Sequence, residues 1–128
     1  MTTNCSLYPD AESNGYFIKN VTDSTVLVTK FWRGNKNASH IDFFDTNAVA
    51  YWRSLMDQIL DNDNYEVDGW KVDESDYYIR QKHDNVLTSV GIKSSKEYIN
   101  AYYSEFYNYI TRLDKRGARG MINSPSVL

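Results

Sequence analysis

The sequence is poor in the features that build cross-linked, metal-bound or membrane-spanning proteins. It contains a single cysteine, Cys5, so it can form no internal disulfide and no cysteine-built zinc or iron–sulfur site. No apolar run approaches the ~18 residues that a membrane-spanning helix needs. The first 25 residues lack a positively charged stretch followed by an apolar one, so we expect no signal peptide.

An excess of basic residues is also missing. The chain carries 17 acidic and 14 basic side chains, which gives a formal net charge of -3. Nucleic-acid binding modules usually need a basic stripe that displaces counterions from phosphates, so we expect no nucleic-acid partner. The two histidines, His40 and His83, have no ligand spacing with other histidines or cysteines. We therefore expect neither a metal nor an organic cofactor, and the sequence does not indicate a cellular compartment.

The apolar and aromatic content is sufficient for a folded core. Of the 128 residues, 41% are hydrophobic and 15% are aromatic, which is typical of one compact domain or part of a larger one. Polar residues dominate positions 1–14, and we predict a loop or an unplaced segment there. We expect residues 15–128 to form the domain proper.

Several short segments have the composition of strands. Residues 15–20 and 25–30 flank the turn formers of residues 21–24, which predicts an N-terminal β-hairpin. Residues 40–44 form a short apolar run that predicts a buried strand. Residues 67–73 predict another strand, and residues 121–123 could begin a further strand after the last helix.

Two longer segments have helical periodicity. Apolar residues recur every three or four positions from Ala48 to Leu60, and Asp45 or Thr46 could cap the helix start. A second stripe predicts a helix over residues 96–113. Residues 74–95 lie between the strand predicted over residues 67–73 and this helix. They show few periodic signals and predict a long loop, which in a compact domain is usually functional.

From residue 40 onward, strands and helices alternate. This order indicates an α/β fold with parallel strands and crossover helices. A closed (β/α)8 TIM barrel needs ~250 residues, about twice the length of this chain. If the pattern belongs to such a barrel, we expect the chain to hold only its middle βα units.

The most informative segment for chemistry is Gly69-Trp70-Lys71-Val72-Asp73. Side chains alternate along a strand, so Lys71 and Asp73 share one face while Trp70 and Val72 take the other. The lysine ammonium would favour the ionised form of Asp73, which is the form that attacks a sugar anomeric carbon. From spacing alone, the commoner situation is that both are solvated residues at a strand end.

At this motif the sequence resembles glycoside hydrolase family 31, whose members are retaining exo-α-glycosidases. Residues 69–73, with Asp76 three positions later, look like the nucleophile motif of that family. Residues 15–20 are similar to its segment before the third barrel strand, and Trp32-Arg33-Gly34 is similar to its Trp-Pro-Gly. Residues 41–48 are similar to its Asp-Phe-x-Asn-Pro-x-Ala. The resemblance runs from about residue 15 to about residue 122.

The resemblance implies a role for each matching residue. Asp73 is the expected catalytic nucleophile, and Lys71 resembles a substrate-contacting position. Trp32 either lines the sugar pocket or packs in the core. Asp76 stands where many members have glutamate, so we assign it to substrate binding without a more specific role. The implied activity is hydrolysis of terminal α-glycosidic bonds, with a carbohydrate substrate.

Two departures from the family pattern leave an alternative open. The family takes its general acid from a later segment, and we find no convincing acid within these residues. The stretch that matches the following strand, residues 121–126, lacks the usual arginine. We therefore expect the 128 residues alone to be inactive and to need the remainder of the barrel as a partner. The alternative is a truncated, non-catalytic remnant that at most binds sugar or a partner chain.

Overall fold

The computed structural model describes residues 1–31, 36–62, 70–72, 79–80, 82–112 and 121–122. Three helices and six strands have their bounds within these ranges, and Ile79 and Arg80 are also helical. In chain order they are α1 (Tyr8–Ser13), β1 (Val28–Phe31), β2 (Lys36–Ser39), α2 (Thr46–Leu60), β3 (Lys71–Val72), β4 (Asn85–Thr88), β5 (Gly91–Ser94), α3 (Ser95–Ile110) and β6 (Met121–Ile122). No helix of the described residues combines the length and apolar character that crossing a membrane requires.

The first 14 residues contain helix α1, so the predicted loop was wrong there. Pro9 occupies the first turn, where its fixed φ suits a helix and its missing N–H costs nothing. Tyr8 and Ala11 are buried, and the Tyr8 ring stacks on Phe17 with ring centroids 4.9 Å apart. The periodicity was missed because six residues are too few to display a helical stripe. The division of the chain at residue 14 stays a prediction.

The predicted N-terminal hairpin is present, although its arms are held by isolated bridges. Lys19 bridges to Val26 in antiparallel orientation, and the Leu27 N–H donates to the Ile18 carbonyl. Strand β1 then turns back to pair with β2 in antiparallel register from Val28↔Ser39 to Phe31↔Lys36. The second arm of the hairpin therefore continues directly into a second antiparallel pair.

The strand predicted over residues 40–44 was wrong in its position. The ladder lies earlier, in β2, and only Ile41 forms a further bridge, to Phe17. Phe43 and Phe44 lie in a turn, where the Asp42 carboxylate accepts a hydrogen bond from the Phe44 N–H at 2.9 Å. An aspartate that caps its own turn competes with the extended backbone, which the apolar composition alone did not reveal.

Both long helices are confirmed. Asp45 is the N-cap of α2, and its side chain accepts hydrogen bonds from the N–H groups of Asn47 and Ala48. Helix α3 begins with a capping box in which the side chains of Ser94 and Glu97 satisfy each other's backbone N–H groups. The predicted stripe of α3 faces the core at Ile99, Tyr103 and Phe106, although this helix ends at Ile110 rather than at residue 113. In α2, Ala48 and Leu60 are buried, but Ile59 is 38% exposed.

The predicted parallel pairing is also confirmed where the structure describes it. Strand β3 pairs in parallel with β6, with Lys71 opposite Met121 and Val72 opposite Ile122. Helix α3 lies between the two strands in sequence. This strand–helix–strand unit is the crossover connection that parallel strands require.

The long loop predicted over residues 74–95 was wrong for its second half. Residues 85–94 form the antiparallel hairpin of β4 and β5, with Thr88 opposite Gly91 across the turn. Gly91 has a φ of +105°, a conformation that side-chain-bearing residues rarely adopt. Residues 74–78 and residue 81, in the first half of that stretch, lie outside the described residues.

Residues of the first hairpin and of the β4–β5 hairpin pack together with β3 and α3 in the main hydrophobic core. Its buried members are Ile18, Leu27, Val72, Ile79, Val86, Tyr98, Ile99, Tyr103 and Phe106. The strands of the described residues form three two-stranded sheets, and these do not close a barrel. The structure within these ranges is a small α/β unit.

Candidate functional site

The predicted site begins at the end of β3. Val72 is 1% exposed and packs in the core with α3, while Lys71 is exposed. Trp70 lies on the same side as Val72, and its ring meets that of Tyr109 edge-on at 6.4 Å. The predicted alternation is therefore confirmed for residues 70–72.

Three of the four predicted site residues lie outside the described residues: Trp32, Asp73 and Asp76. Asp73 follows β3 directly in sequence, after the carboxyl end of a strand that has a parallel neighbour. The assignments of these residues, and the substrate-contacting role of Lys71, stay predictions.

An aromatic cluster holds α2 against α3 beneath β3. The Trp52 ring contacts Phe106 at 4.7 Å, Tyr109 at 5.4 Å and Phe43 at 5.6 Å, each edge-to-face. These tilted pairs align the positive ring edges with the negative faces, which stabilises each contact beyond its buried area. The cluster fixes the helical layer on which Trp70 and Val72 rest.

Polar contacts join the same two helices at their outer side. The guanidinium of Arg53 on α2 pairs with the carboxylate of Glu105 on α3. One turn further along α2, Asp57 accepts a hydrogen bond from the Tyr109 hydroxyl at 2.9 Å and lies 3.5 Å from Arg112. Burial, followed by the hydrogen bond to Asp57, raises the pKa of the Tyr109 hydroxyl. The hydroxyl therefore stays protonated and donates.

A pocket of about 210 Å³ lies where the first hairpin meets the β4–β5 hairpin. The two hairpins are joined by a bridge between Lys19 and Leu87, whose backbone N–H and carbonyl groups bond reciprocally at 2.9 Å. The remaining wall comes from Asp42, just before α2, and from Thr88 and Ser89 at the turn.

Asp42 fixes the geometry of this pocket. It is 2% exposed, and its two carboxylate oxygens accept hydrogen bonds from the N–H groups of Phe44 at 2.9 Å and Ser89 at 2.6 Å. Asp42 thus ties the start of α2 to the β4–β5 turn. Because a buried carboxylate is costly without such partners, these hydrogen bonds hold the turn in one place.

His40 lies next to this region in a polar interior. Its Nε2 is 2.8 Å from the Thr29 hydroxyl oxygen. Burial, then the positive charges of the chain's amino terminus and of His83, lower the pKa of His40 to about 3. The ring is therefore neutral near pH 7. Among the described residues, no group of three or more His, Cys, Asp or Glu side chains could hold a metal ion.

The pocket residues were not predicted as a site. Asp42 belongs to a motif quoted for its resemblance, and Lys19 to a predicted strand, but neither pattern indicated a cavity. The signal that could have located the hairpin is the sequence from Val86 to Ile92, where Val86, Leu87 and Ile92 lie on either side of the turn formers Ser89 and Gly91.

The chain matches a model of a known protein family. The family model described as "Glycosyl hydrolases family 31 TIM-barrel domain" matches residues 1–126. That range includes the 14 N-terminal residues that the motif comparison did not place. A search of curated proteins finds no match.

Proposed function

Because the chain belongs to glycoside hydrolase family 31, we propose that it carries the nucleophile of a retaining hydrolase acting on terminal α-glycosidic bonds. The observation that carries the proposal is the family match over residues 1–126. The parallel pair of β3 and β6 supports it, because active sites of TIM-barrel enzymes lie at the carboxyl ends of the strands. Asp73 follows such an end.

In the proposed mechanism, Asp73 attacks first. A carboxylate oxygen of Asp73 forms a bond to the anomeric carbon while the bond from that carbon to the leaving oxygen breaks, and a general acid protonates the leaving oxygen. Water then adds to the anomeric carbon, gives one proton to the conjugate base of that acid, and releases the Asp73 carboxylate. The two inversions together give net retention.

Lys71 has a supporting role in this proposal. It is exposed at the end of β3 on the face that Asp73 shares by strand alternation. Its ammonium favours the ionised carboxylate that attack requires, and it can donate hydrogen bonds to sugar hydroxyls. We propose Trp32 as an apolar wall for the sugar ring, and Asp76 as a further hydrogen-bond acceptor for the substrate.

The nucleophile can be tested separately from the acid. A fluorosugar can carry fluoride or dinitrophenolate as its leaving group, and either group departs without being protonated. The reagent therefore labels the nucleophile even where no general acid is present. We expect incubation with such an α-configured reagent to add one glycosyl group, located by peptide mass spectrometry at Asp73. Asp73→Asn should abolish labelling and slow the release of dinitrophenolate from a dinitrophenyl α-glycoside, a step that needs no acid, by at least ~10³-fold, as expected for loss of a covalent nucleophile.

Glu12→Gln is the matched control, because it removes one exposed carboxylate on α1, far in sequence from the proposed nucleophile. It should label as the unmodified chain does. Labelling at another carboxylate would remove Asp73 from the mechanism. Saturable sugar binding with no labelling at all would favour the alternative, a chain that binds carbohydrate without cleaving it.

A further inference from the structure

The link between α1 and the first hairpin contains an Asn–Gly sequence. Asn14 is the chain's only asparagine that is followed by glycine. Asparagine is a thermolabile residue, because the backbone nitrogen that follows it can attack its side-chain amide carbon. Glycine has no Cβ that would hinder this approach. Asn14 and Gly15 are both exposed, so water and base can reach the bond between them.

The fold holds this bond in an unreactive geometry. Asn14 has a φ of -83° and a ψ of -3°, so the Gly15 nitrogen is turned toward the backbone nitrogen of Asn14 and away from its side chain. The Gly15 N–H donates a hydrogen bond to the Glu12 carbonyl at 3.0 Å, and Gly15 has a φ of +72°. Attack therefore requires rotation about the Cα–C bond of Asn14, which breaks this hydrogen bond.

The side chain of Asn14 is fixed as well. Its Nδ2 donates to the Asp10 carbonyl oxygen at 2.8 Å and to the Asp10 carboxylate oxygen Oδ1 at 3.2 Å. The backbone N–H of Asn14 donates to the same carbonyl at 3.1 Å. These bonds tie Asn14 to α1, which is itself anchored by the buried side chains of Tyr8 and Ala11. Asn14 can therefore rotate only when the last turn of α1 opens.

We propose that Asn14 is a modification site protected by folding: it deamidates only while α1 is locally open, and the product hinders α1 from re-forming. The Gly15 nitrogen gives its proton to a base and bonds to the side-chain carbon of Asn14. The bond from that carbon to the amide nitrogen breaks, and the nitrogen takes a proton and leaves as ammonia. Water then opens the succinimide at either carbonyl, which leaves aspartate or isoaspartate. This inference does not depend on the proposed function.

The product removes the contacts that hold the link. A carboxylate at this position has no N–H to donate, and it faces the carbonyl and the carboxylate of Asp10, which are both acceptors. Negative charge is also unfavourable at the C-terminal end of a helix. Isoaspartate in addition lengthens the backbone just before Tyr16, whose N–H donates to the Ala11 carbonyl and whose carbonyl accepts from the Asp42 N–H. Deamidation therefore weakens the connection of α1 to the rest of the fold.

The first test compares the folded chain with the chain unfolded in urea, both incubated at a mildly alkaline pH. Peptide mass spectrometry follows the gain in mass at Asn14 as a hydroxyl replaces the amide NH2. We expect deamidation to be at least ~10-fold faster in the unfolded chain, because reaction from the folded chain is limited to its open fraction. Urea below the unfolding transition should leave the rate as it is in buffer. Equal rates in the folded and unfolded chains would overturn the protection by folding.

A pair of variants tests whether the opening is local to α1. Glycine in place of alanine weakens a helix, so Ala11→Gly should speed deamidation of the folded chain by about fivefold or more. Ala50→Gly is the matched control, because Ala50 is an exposed alanine of α2, and it should leave the rate unchanged. Equal acceleration in both variants would overturn the local opening. If Ala11→Gly does not fold, the comparison of the folded and unfolded chain decides alone.

A third measurement tests the effect of the product. Asn14→Asp, which is the aspartate product, should speed hydrogen exchange of the Tyr16 amide by about threefold to tenfold, as expected for the loss of one hydrogen bond. Asn100→Asp adds the same charge at an exposed position of α3 and should leave that exchange unchanged. Unchanged exchange in Asn14→Asp, or equal exchange in the two variants, would overturn the claim that the product hinders α1.

Discussion

His40 makes the stability of the fold depend on pH in a defined direction. Its pKa in the folded chain is about 3, lowered from 6.5, so the folded state excludes a proton that the unfolded chain binds. The stabilisation is fully present above about pH 6.5 and is lost progressively as the pH falls toward 3. Acidification therefore favours unfolding before most carboxylates titrate.

The magnitude follows from the separation of the two pKa values. Within the window between them, each pH unit costs up to ~1.4 kcal/mol of the free energy of unfolding. Lowering the pH from about 7.5 to about 5 spans some 1.5 units of that window, so His40 alone should cost up to ~2 kcal/mol. A small domain has only ~5–15 kcal/mol in total, so the effect is measurable.

The assay is urea unfolding at the two pH values, followed by the fluorescence of the three tryptophans. His40→Gln removes the titration while keeping a polar group that can bond the Thr29 hydroxyl. We expect the pH-dependent loss to shrink by up to ~2 kcal/mol in this variant, whatever its absolute stability. The charges of the Met1 amino group and of His83 act on His40 in the folded chain, so their effect on its protonation is lost together with the ring in this variant.

His83→Gln is the matched control because it removes the other histidine and leaves His40 to titrate. It should retain the steep loss on acidification. If His40→Gln and the unmodified chain lose the same free energy between the two pH values, burial of His40 does not control its protonation and the reasoning is refuted.

Two further predictions concern α3. Phe106→Ala should lower the free energy of unfolding by ~3–5 kcal/mol, because Phe106 is 8% exposed and contacts Trp52 edge-on. Tyr107→Ala, at the next position and 59% exposed, should change it by ~0.5 kcal/mol or less in the same urea titration, and similar losses in both variants would contradict the assigned helix face. Ser94→Ala should cost ~0.5–2 kcal/mol by breaking the capping box with Glu97, and an unchanged urea midpoint would show that the cap does not stabilise α3.

The helices were predictable because their signals are long and redundant. From Ala48 to Leu60, the apolar stripe repeats over several turns, and Asp45 supplies an independent start signal. The pairing of β3 with β6 was predictable from the order of strand, helix and strand, although each strand has only two described residues. Here the connection between elements was more informative than the elements themselves.

The errors occurred where local signals are short. Helix α1 has only six residues, and its stability comes from the packing of Tyr8 and Ala11 against residues that are distant in sequence. The strand placed at residues 40–44 failed because Asp42 bonds its own turn and the Ser89 N–H. The pocket could not be predicted, since its walls meet only after both hairpins have folded.

One backbone segment links these distant parts of the chain. Lys19 bridges to Val26 on one side and to Leu87 on the other, a separation of 68 positions in the second case (87 minus 19). During synthesis, the ribosome must therefore translate beyond Leu87 before the first hairpin can pair with strand β4. Until then, the backbone N–H and carbonyl of Lys19 lack their partner on Leu87. Because pairing these two residues closes a long loop at an entropic cost, we expect this pairing to form late in folding.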